Sequence, residues 1–391
     1  MGINRGFLTV LLLIFFNSGG LMLPILATLF FNDLKFNVEV IGLIMSFFGV
    51  GGLFGGYIGG HLSDYIHSNK IVSISLLGNG IFIMLFSLIK QDVSLFSICM
   101  LFIGFFNTSF RPSSLLLLFE TRGRISEIKV LSYRRVANSM GFALASFGFG
   151  FLYHVSGKWA FLVIGFLFIF TFLLSLILKE KKVSIAEEKE KEVPRKPNLR
   201  LFVGLNLICV LFVIVFNQYS TTYTLFLGNF AGLSPFDIST LFTVHGIIVV
   251  LFQIPVGHFC DKIRLSMGCF IGSILLALGM GLTGFASNFA LAIFFCILWT
   301  FAEMILPPLS LPFILKTSIY RRGKTMGIYQ ASFSSGVLLA PLLGSFIYKI
   351  SPYFLWQMCF VVSVICALFF LTLYIFYEPM VISRKKTRTS V

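Results

Sequence analysis

The chain has 391 residues, of which 57% are hydrophobic and only 12% charged, and its formal net charge is +15. A soluble domain carries nearer a quarter charged residues, which excludes a predominantly water-soluble protein and points to a membrane. The basic excess lies between apolar runs, where it meets anionic lipid headgroups, so it is no argument for nucleic acid.

In chain order, twelve apolar segments are predicted at about 6–31, 38–60, 70–89, 93–118, 135–153, 159–178, 201–226, 236–257, 267–286, 289–314, 326–349 and 354–377. A helix needs ~20 residues to cross the hydrocarbon core. The first run is too long for a secretory h-region and is read as a retained span. Between the sixth and seventh lies "KEKKVSIAEEKEKEVPRKPNLR" (179–200), a charged, Pro-containing linker. The expected organisation is therefore a six-helix bundle over 1–178, the linker over 179–200, a second bundle over 201–378 and a basic tail over 379–391. With the N-terminus placed in the cytoplasm, the inner pieces carry 25 Lys and Arg and the outer loops four: Lys35, Lys90, Lys158 and Lys349. That asymmetry obeys the positive-inside rule and predicts both termini inside. The seven cysteines fall in or beside apolar runs, with no CxxC pair, and read as packing residues.

Two short stretches are written twice. "GGHLSDYIHSNK" (59–70) returns as "VGHFCDKIRLSM" (256–267), and "SFGFGFLYHVSG" (146–157) as "PLLGSFIYKISP" (341–352). Pro112 and Pro307, and Glu39 and Asp237, recur at nearly the same spacing of 195 to 198 residues. Landmarks in one order at one offset indicate a parallel duplication of a six-helix unit. The first pair falls between the second and third helix of each half. There Gly60 and Gly257 are expected to let the backbone bend. Asp64 and Asp261 are expected to accept helix-end N–H groups or to pair with a neighbouring cation.

"GHLSD" at 60–64 resembles the loop signature of the major facilitator superfamily, Gly-x-Leu-Ala/Ser-Asp-Arg-x-Gly-Arg-Arg/Lys. Tyr65 and His67 replace its Arg and Gly, so the basic half is mostly missing. "SYRRVANSMGFALASFGFG" (132–150), "QYSTTYTLFLGNFAGLS" (218–234), "TFAEMILPP" (300–308) and "RRGKTMGIYQASFSSGVLLAPLLG" (321–344) resemble the fifth, seventh, tenth and eleventh helices of that superfamily's drug:proton antiporter branch. Ala145-Ser146 stands where the branch's fifth helix has Gly-Pro. The resemblance spans the chain. It implies an all-α polytopic fold of twelve transmembrane helices in two pseudo-twofold six-helix bundles, working by alternating access.

Polar groups inside spans cost ~2.5–3.5 kcal/mol each when charged, and so tend to be functional. Glu303 is the one carboxylate near the middle of a predicted helix, which makes it the candidate for proton loading and release. Arg111, the one cation within a predicted helix, precedes Pro112 and is expected about one turn nearer the cytoplasm than Glu303. It is read either as a partner for an anionic substrate, as a sensor of Glu303, or as a side chain snorkelling to headgroups. Asn17, Asn107, Asn138, Asn217, Gln218, Thr221 and His245 are candidate cavity residues, each also able to serve as a helix–helix hydrogen bond. Gly52, Gly56 and Gly60 in the second helix, and Gly336 and Gly344 in the eleventh, are spaced for close approach. In the family resembled these helices lie between the halves, so the rows are expected to gate.

"GMGLTG" (279–284) has no strand before it, and "RGKT" (322–325) lacks the preceding glycine of a P-loop, so neither reads as a nucleotide site. No nucleophile–base pair or metal spacing is found, so neither enzyme activity nor a cofactor is expected. The expected function is secondary transport, as proton-coupled efflux of small amphiphilic compounds or metabolites. The alternatives are uptake, dedicated export of one metabolite such as a siderophore, or a non-transporting receptor. The expected partners are a small-molecule substrate, protons and membrane lipid, with no nucleic acid. A monomer in a bacterial inner (plasma) membrane is expected.

Overall fold

The computed structural model describes residues 5–62, 66–123, 125, 127–178, 198–319 and 322–377. The all-α architecture expected from hydropathy is present. Among the described residues, twelve helices are long and apolar enough to cross a membrane: α1 Arg5–Asp33, α2 Val38–Gly59, α3 Ser68–Leu88, α4 Val93–Thr121, α5 Tyr133–Val155, α6 Gly157–Ser175, α7 Leu199–Ser220, α8 Pro235–Lys262, α9 Leu265–Phe285, α10 Phe289–Thr317, α11 Ile328–Ile350 and α12 Pro352–Tyr377. Polar residues set several starts. The side chains of Asp92, Asn198 and Asn288 accept the N–H groups of Leu95, Leu201 and Leu291 at 3.0–3.1 Å. Ser234 and Asp237 bond reciprocally as a capping box at the head of α8. All seven cysteines are buried and free.

Two first-of-half helices are broken at matching places. α1 passes through a 3-10 turn at Gly19–Met22 and α7 through one at Asn217–Ser220. The turns begin 198 residues apart (217 minus 19), the same offset as Glu39 and Asp237. After the second break a short helix, Thr222–Asn229, continues toward α8.

The chain forms two compact units. The first comprises Met1–Lys189, Tyr219–Val250 and Pro341–Lys349, and the second Glu190–Gln218, Leu251–Ala340 and Ile350–Val391. The first unit thus contains α1–α6 together with the Thr222–Asn229 helix, the first half of α8 and the last turns of α11. Its core holds an aromatic cluster of Phe30, Phe31, Phe86, Phe96 and Phe161, with ring centroids 4.8–6.2 Å apart. In the second unit Gly336 of α11 lies so close to α7 that a methyl there would meet Val213 at 2.6 Å.

Within the first unit, segments from both halves of the sequence meet at the end opposite the basic loops. Asn32 and Asn229, 197 residues apart, exchange amide hydrogen bonds at 3.2 and 3.4 Å. Thr28 donates to the Ser220 carbonyl, at the edge of the α7 break, at 2.9 Å. A methyl at Gly42 of α2 would overlap Ser345 and the Pro341 carbonyl of α11, and one at Gly150 of α5 would overlap Ser239 of α8. These two contacts are symmetry mates. Gly150 and Ser345 correspond at the offset of 195 seen for Tyr153 and Tyr348, and Gly42 and Ser239 correspond at the 197 of Gly60 and Gly257.

Lys349 pairs with Glu39 at the same end, but the two side chains are 65% and 36% exposed. Exposed pairs contribute little, because water screens them and two long side chains must be ordered. Lys349→Gln is therefore expected to leave the accessibility of cysteine probes at this end unchanged within about twofold. A larger effect would make the ion pair, rather than backbone proximity, the main fastening.

Candidate functional site

Glu303 is the fifteenth residue of the 29-residue α10. The helix contains Pro307, Pro308 and Pro312. A proline has no N–H, so Pro307 cannot bond the carbonyl of Glu303, nor Pro308 that of Met304. The carboxylate therefore stands at a point where the backbone itself is polar. Cys296 and Thr300 share its face of the helix, and the buried Thr300 hydroxyl bonds back to the Cys296 carbonyl at 2.6 Å. One turn beyond, the Ser310 hydroxyl and the Tyr329 phenol of α11 approach the Pro307 carbonyl at 3.2 and 3.5 Å. Glu303 is half-buried and belongs to the second unit.

Two further candidates in that unit turn out to fasten helices. The Gln218 amide donates to the carbonyls of Ile214 and Ala340 at 3.1 and 3.0 Å, and the Asn217 amide donates to Val337 at 3.4 Å. A buried amide takes the nearest carbonyl it can reach, and here that joins the α7 break to α11.

The remaining polar candidates lie in the first unit. Arg111 has an exposed side chain beside Pro112 in α4. Its carbonyl accepts the Ser114 hydroxyl at 3.1 Å and the Arg134 guanidinium at 3.4 Å. Asn138 is exposed and accepts the Ser18 hydroxyl at 3.0 Å. Asn17 is 6% exposed. Asn107 is fully buried behind α1, where a methyl at Gly20 would come within 2.6 Å of its amide nitrogen. In this conformation Asn107 lines no open cavity. Asn79 of α3, with its amide turned to suit its neighbours, donates to the Ile103 carbonyl at 3.0 Å and accepts the Asn107 N–H at 3.3 Å. Thr221 is fully buried between the α7 break and the helix that follows. His245 is buried edge-on against Phe142, 5.6 Å between centroids, where α8 crosses α5.

The gating candidates also separate. Gly60 and Gly257 stand inside helices, Val38–Leu62 and Pro235–Lys262, rather than in the turns after them. Asp261 is exposed in the last turn of α8, and Asp64 lies outside the described residues. The Gly52–Gly56 row is not the tight face of α2. Nothing lies within 4 Å of a methyl built at Gly56, whereas methyls at Gly51, Gly55 and Gly59 would overlap α4. Thr108 and Ser109 seal that contact by bonding the carbonyls of Gly52 and Gly55 at 2.9 Å. Gly344 is buried in α11. The sequence reading passed over Gly42, Ser345, the Asn32–Asn229 pair and Arg134, although the first three carried a signal in the repeat offset.

A cavity of about 280 Å³ lies between α1, α5 and α6, lined by Phe15, Gly19, Gly148 and Phe149 among others and by no ionisable side chain. It is distinct from the polar positions above.

A family profile described as Major Facilitator Superfamily matches residues 8–318. Multidrug resistance protein 2 of Bacillus subtilis (strain 168) is 20% identical over 353 residues, covering 86% of each chain. Among solved structures, the nucleoside transporter NupG superposes with a TM-score of 0.75 at 15% identity, over 95% of this chain and 100% of that one. A POT family transporter in complex with 5-aminolevulinic acid gives 0.79 at 12% identity, over 95% and 96%. At such identities these structures share the fold with this chain and nothing finer.

Proposed function

The chain belongs to the Major Facilitator Superfamily and is a membrane-embedded secondary transporter, not an enzyme, and on that premise we propose that it exports small amphiphilic compounds in exchange for protons. The observation that carries the coupling is Glu303, a carboxylate at mid-span of α10 beside a run of prolines. A charge in that position is costly, so a carboxylate kept there tends to be functional. The distant likeness to a multidrug resistance protein supports efflux over uptake. We further propose that the sequence halves act as two bundles, 1–178 and 201–378, with both termini and the basic loops cytoplasmic. The glycine contacts of α2 and α11 and the loop acids Asp64 and Asp261 are proposed to bias the exchange between states. The protein is proposed to work as a monomer in a bacterial inner membrane.

The test is flux in proteoliposomes enclosing a pH indicator. Addition of a transported dye or metabolite should drive protons in the opposite direction, at a fixed ratio. Solute movement that leaves internal pH untouched would replace the coupled reading with facilitated diffusion.

A further inference from the structure

The cavity between α1, α5 and α6 serves none of the polar positions. It sits at mid-depth: Gly19 is the fifteenth of the 29 residues of α1, Leu144 the twelfth of the 23 of α5 and Leu167 the eleventh of the 19 of α6, and all three line it. Every lining residue belongs to the first unit. Two glycines shape the space. A methyl at Gly19, the first residue of the α1 break, would touch Ala145 and Phe149 of α5 at 3.2 and 3.4 Å, so the two helices meet there. Nothing lies within 4 Å of a methyl at Gly148, where the space is open. Leu144 and Leu167, on the rim, are 59% and 36% exposed. Their exposed neighbours on α5 and α6, Phe151, Phe166 and Phe170, are apolar too. A water-facing rim carries polar groups, so at this depth the opening faces hydrocarbon.

The lining selects for a chemistry. Its one hydroxyl, that of Thr171, bonds the Leu167 carbonyl at 2.6 Å. A charged or strongly hydrogen-bonding ligand would lose its hydration there and gain nothing in return. Four of the lining residues are phenylalanines: Phe15, Phe16, Phe149 and Phe168. Phe15 meets Phe16 edge to face at 5.3 Å. Aromatic ligands add such edge and offset contacts to simple burial. An apolar cavity of ~150 Å³ takes one benzene. The volume here, about 280 Å³, is roughly twice that and matches two fused rings. A lipid tail is the competing occupant. α1 and α6 each line the space over one short stretch, 15–19 and 167–171, about 6 Å along the axis, whereas a tail runs ~15 Å through its leaflet. Only α5 lines it for longer, so the other two walls set its height. A compact ring system fills that height better than a tail passing through it.

We infer that this cavity binds a neutral, two-ring aromatic compound that enters sideways from the bilayer, between α5 and α6. The site is separate from Glu303, and binding there does not require the proton-coupled reading to hold. A bound ring rests against Gly19 and so bears on the α1 break.

The full chain in phosphatidylcholine nanodiscs is irradiated with 1-azidonaphthalene, and the labelled peptides are mapped by mass spectrometry. Label on the lining stretches 15–19, 141–152 and 167–171 is expressed as a ratio to label on α12, whose exposed side chains meet the probe in bulk lipid. The ratio should exceed about five and fall to near one with excess naphthalene. cis-Decalin, saturated on the same carbon skeleton, and charged 1-naphthoate should each lower it by less than about twofold. Gly148→Leu, which puts a side chain into the open space, should lower it about fivefold, and Gly148→Ala by less. The competition in the unmodified protein needs no variant and decides the ligand chemistry by itself. Even labelling of all spans, or a ratio that Gly148→Leu leaves intact, overturns the site. Equal competition by cis-decalin assigns the space to saturated lipid chains and overturns the aromatic ligand. Competition by 1-naphthoate as strong as that by naphthalene overturns its neutrality.

Discussion

Glu303→Gln is expected to abolish uphill transport while leaving downhill exchange in place. Gln has the shape of a neutral Glu but cannot release or take up a proton, so it fixes the carrier in one protonation state. For one proton exchanged per substrate, each pH unit supports a substrate gradient of about tenfold, or ~1.4 kcal/mol. In proteoliposomes with a one-unit gradient, the accumulation ratio should fall from near ten to one, and its pH dependence should vanish. Counterflow of labelled against unlabelled substrate needs no net proton transfer and should persist. Full accumulation in the Gln variant would remove Glu303 from the coupling step. The prolines that follow it bear on the same point. Pro307→Ala restores an N–H for the Glu303 carbonyl, and its effect should be on rate rather than on the accumulation ratio.

The second large effect is expected at Gly42. A side chain there would meet Ser345 and the Pro341 carbonyl. Backbone cannot swing aside as a side-chain tip can, and overpacking of this kind costs ~1–3 kcal/mol. That corresponds to a shift of about 5-fold to 150-fold in the population with this end separated. Gly42→Ala should therefore raise the labelling of a cysteine placed on α11 near Ser345 by at least fivefold. Gly148→Ala is the matched control, since nothing lies within 4 Å of a methyl there. Equal labelling in the two variants would mean that α2 and α11 part by a route that does not involve this contact.

Much of the architecture was legible in the chain itself. Spans of ~20 apolar residues leave little freedom, and the charged run at 179–200 can lie only in water. The depth of Glu303 followed from counting along one span. What stayed hidden depends on direction rather than position. Gly51, Gly55 and Gly59 and the row Gly52, Gly56 and Gly60 share the same spacing, and only the placement of the α4 carbonyls decides that the first row is the tight one. Gln218 and Asn217 look like cavity polar groups in sequence, yet their amides are drawn to α11 carbonyls because hydrocarbon offers them nothing else. Gly42 has no partner at a four-residue spacing among the glycines that meet α4, so no glycine row announced it. The breaks in α1 and α7 leave hydropathy unchanged and are invisible to any measure of it.

The pair of glycine–serine contacts has a consequence for how such a chain changes over time. In an interface between two copies of one chain, a contact between residues i and j is necessarily repeated between their mates. Here the repeat survives duplication with the roles exchanged: glycine on α2 faces serine on α11, while serine on α8 faces glycine on α5. The constraint at each crossing is thus on the combined volume of two side chains, not on either residue. Lineages are free to move the glycine from one partner to the other, provided that the partner losing it and the partner gaining it change together. A position-by-position search for an invariant glycine would miss that constraint, while a search for compensating pairs would find it.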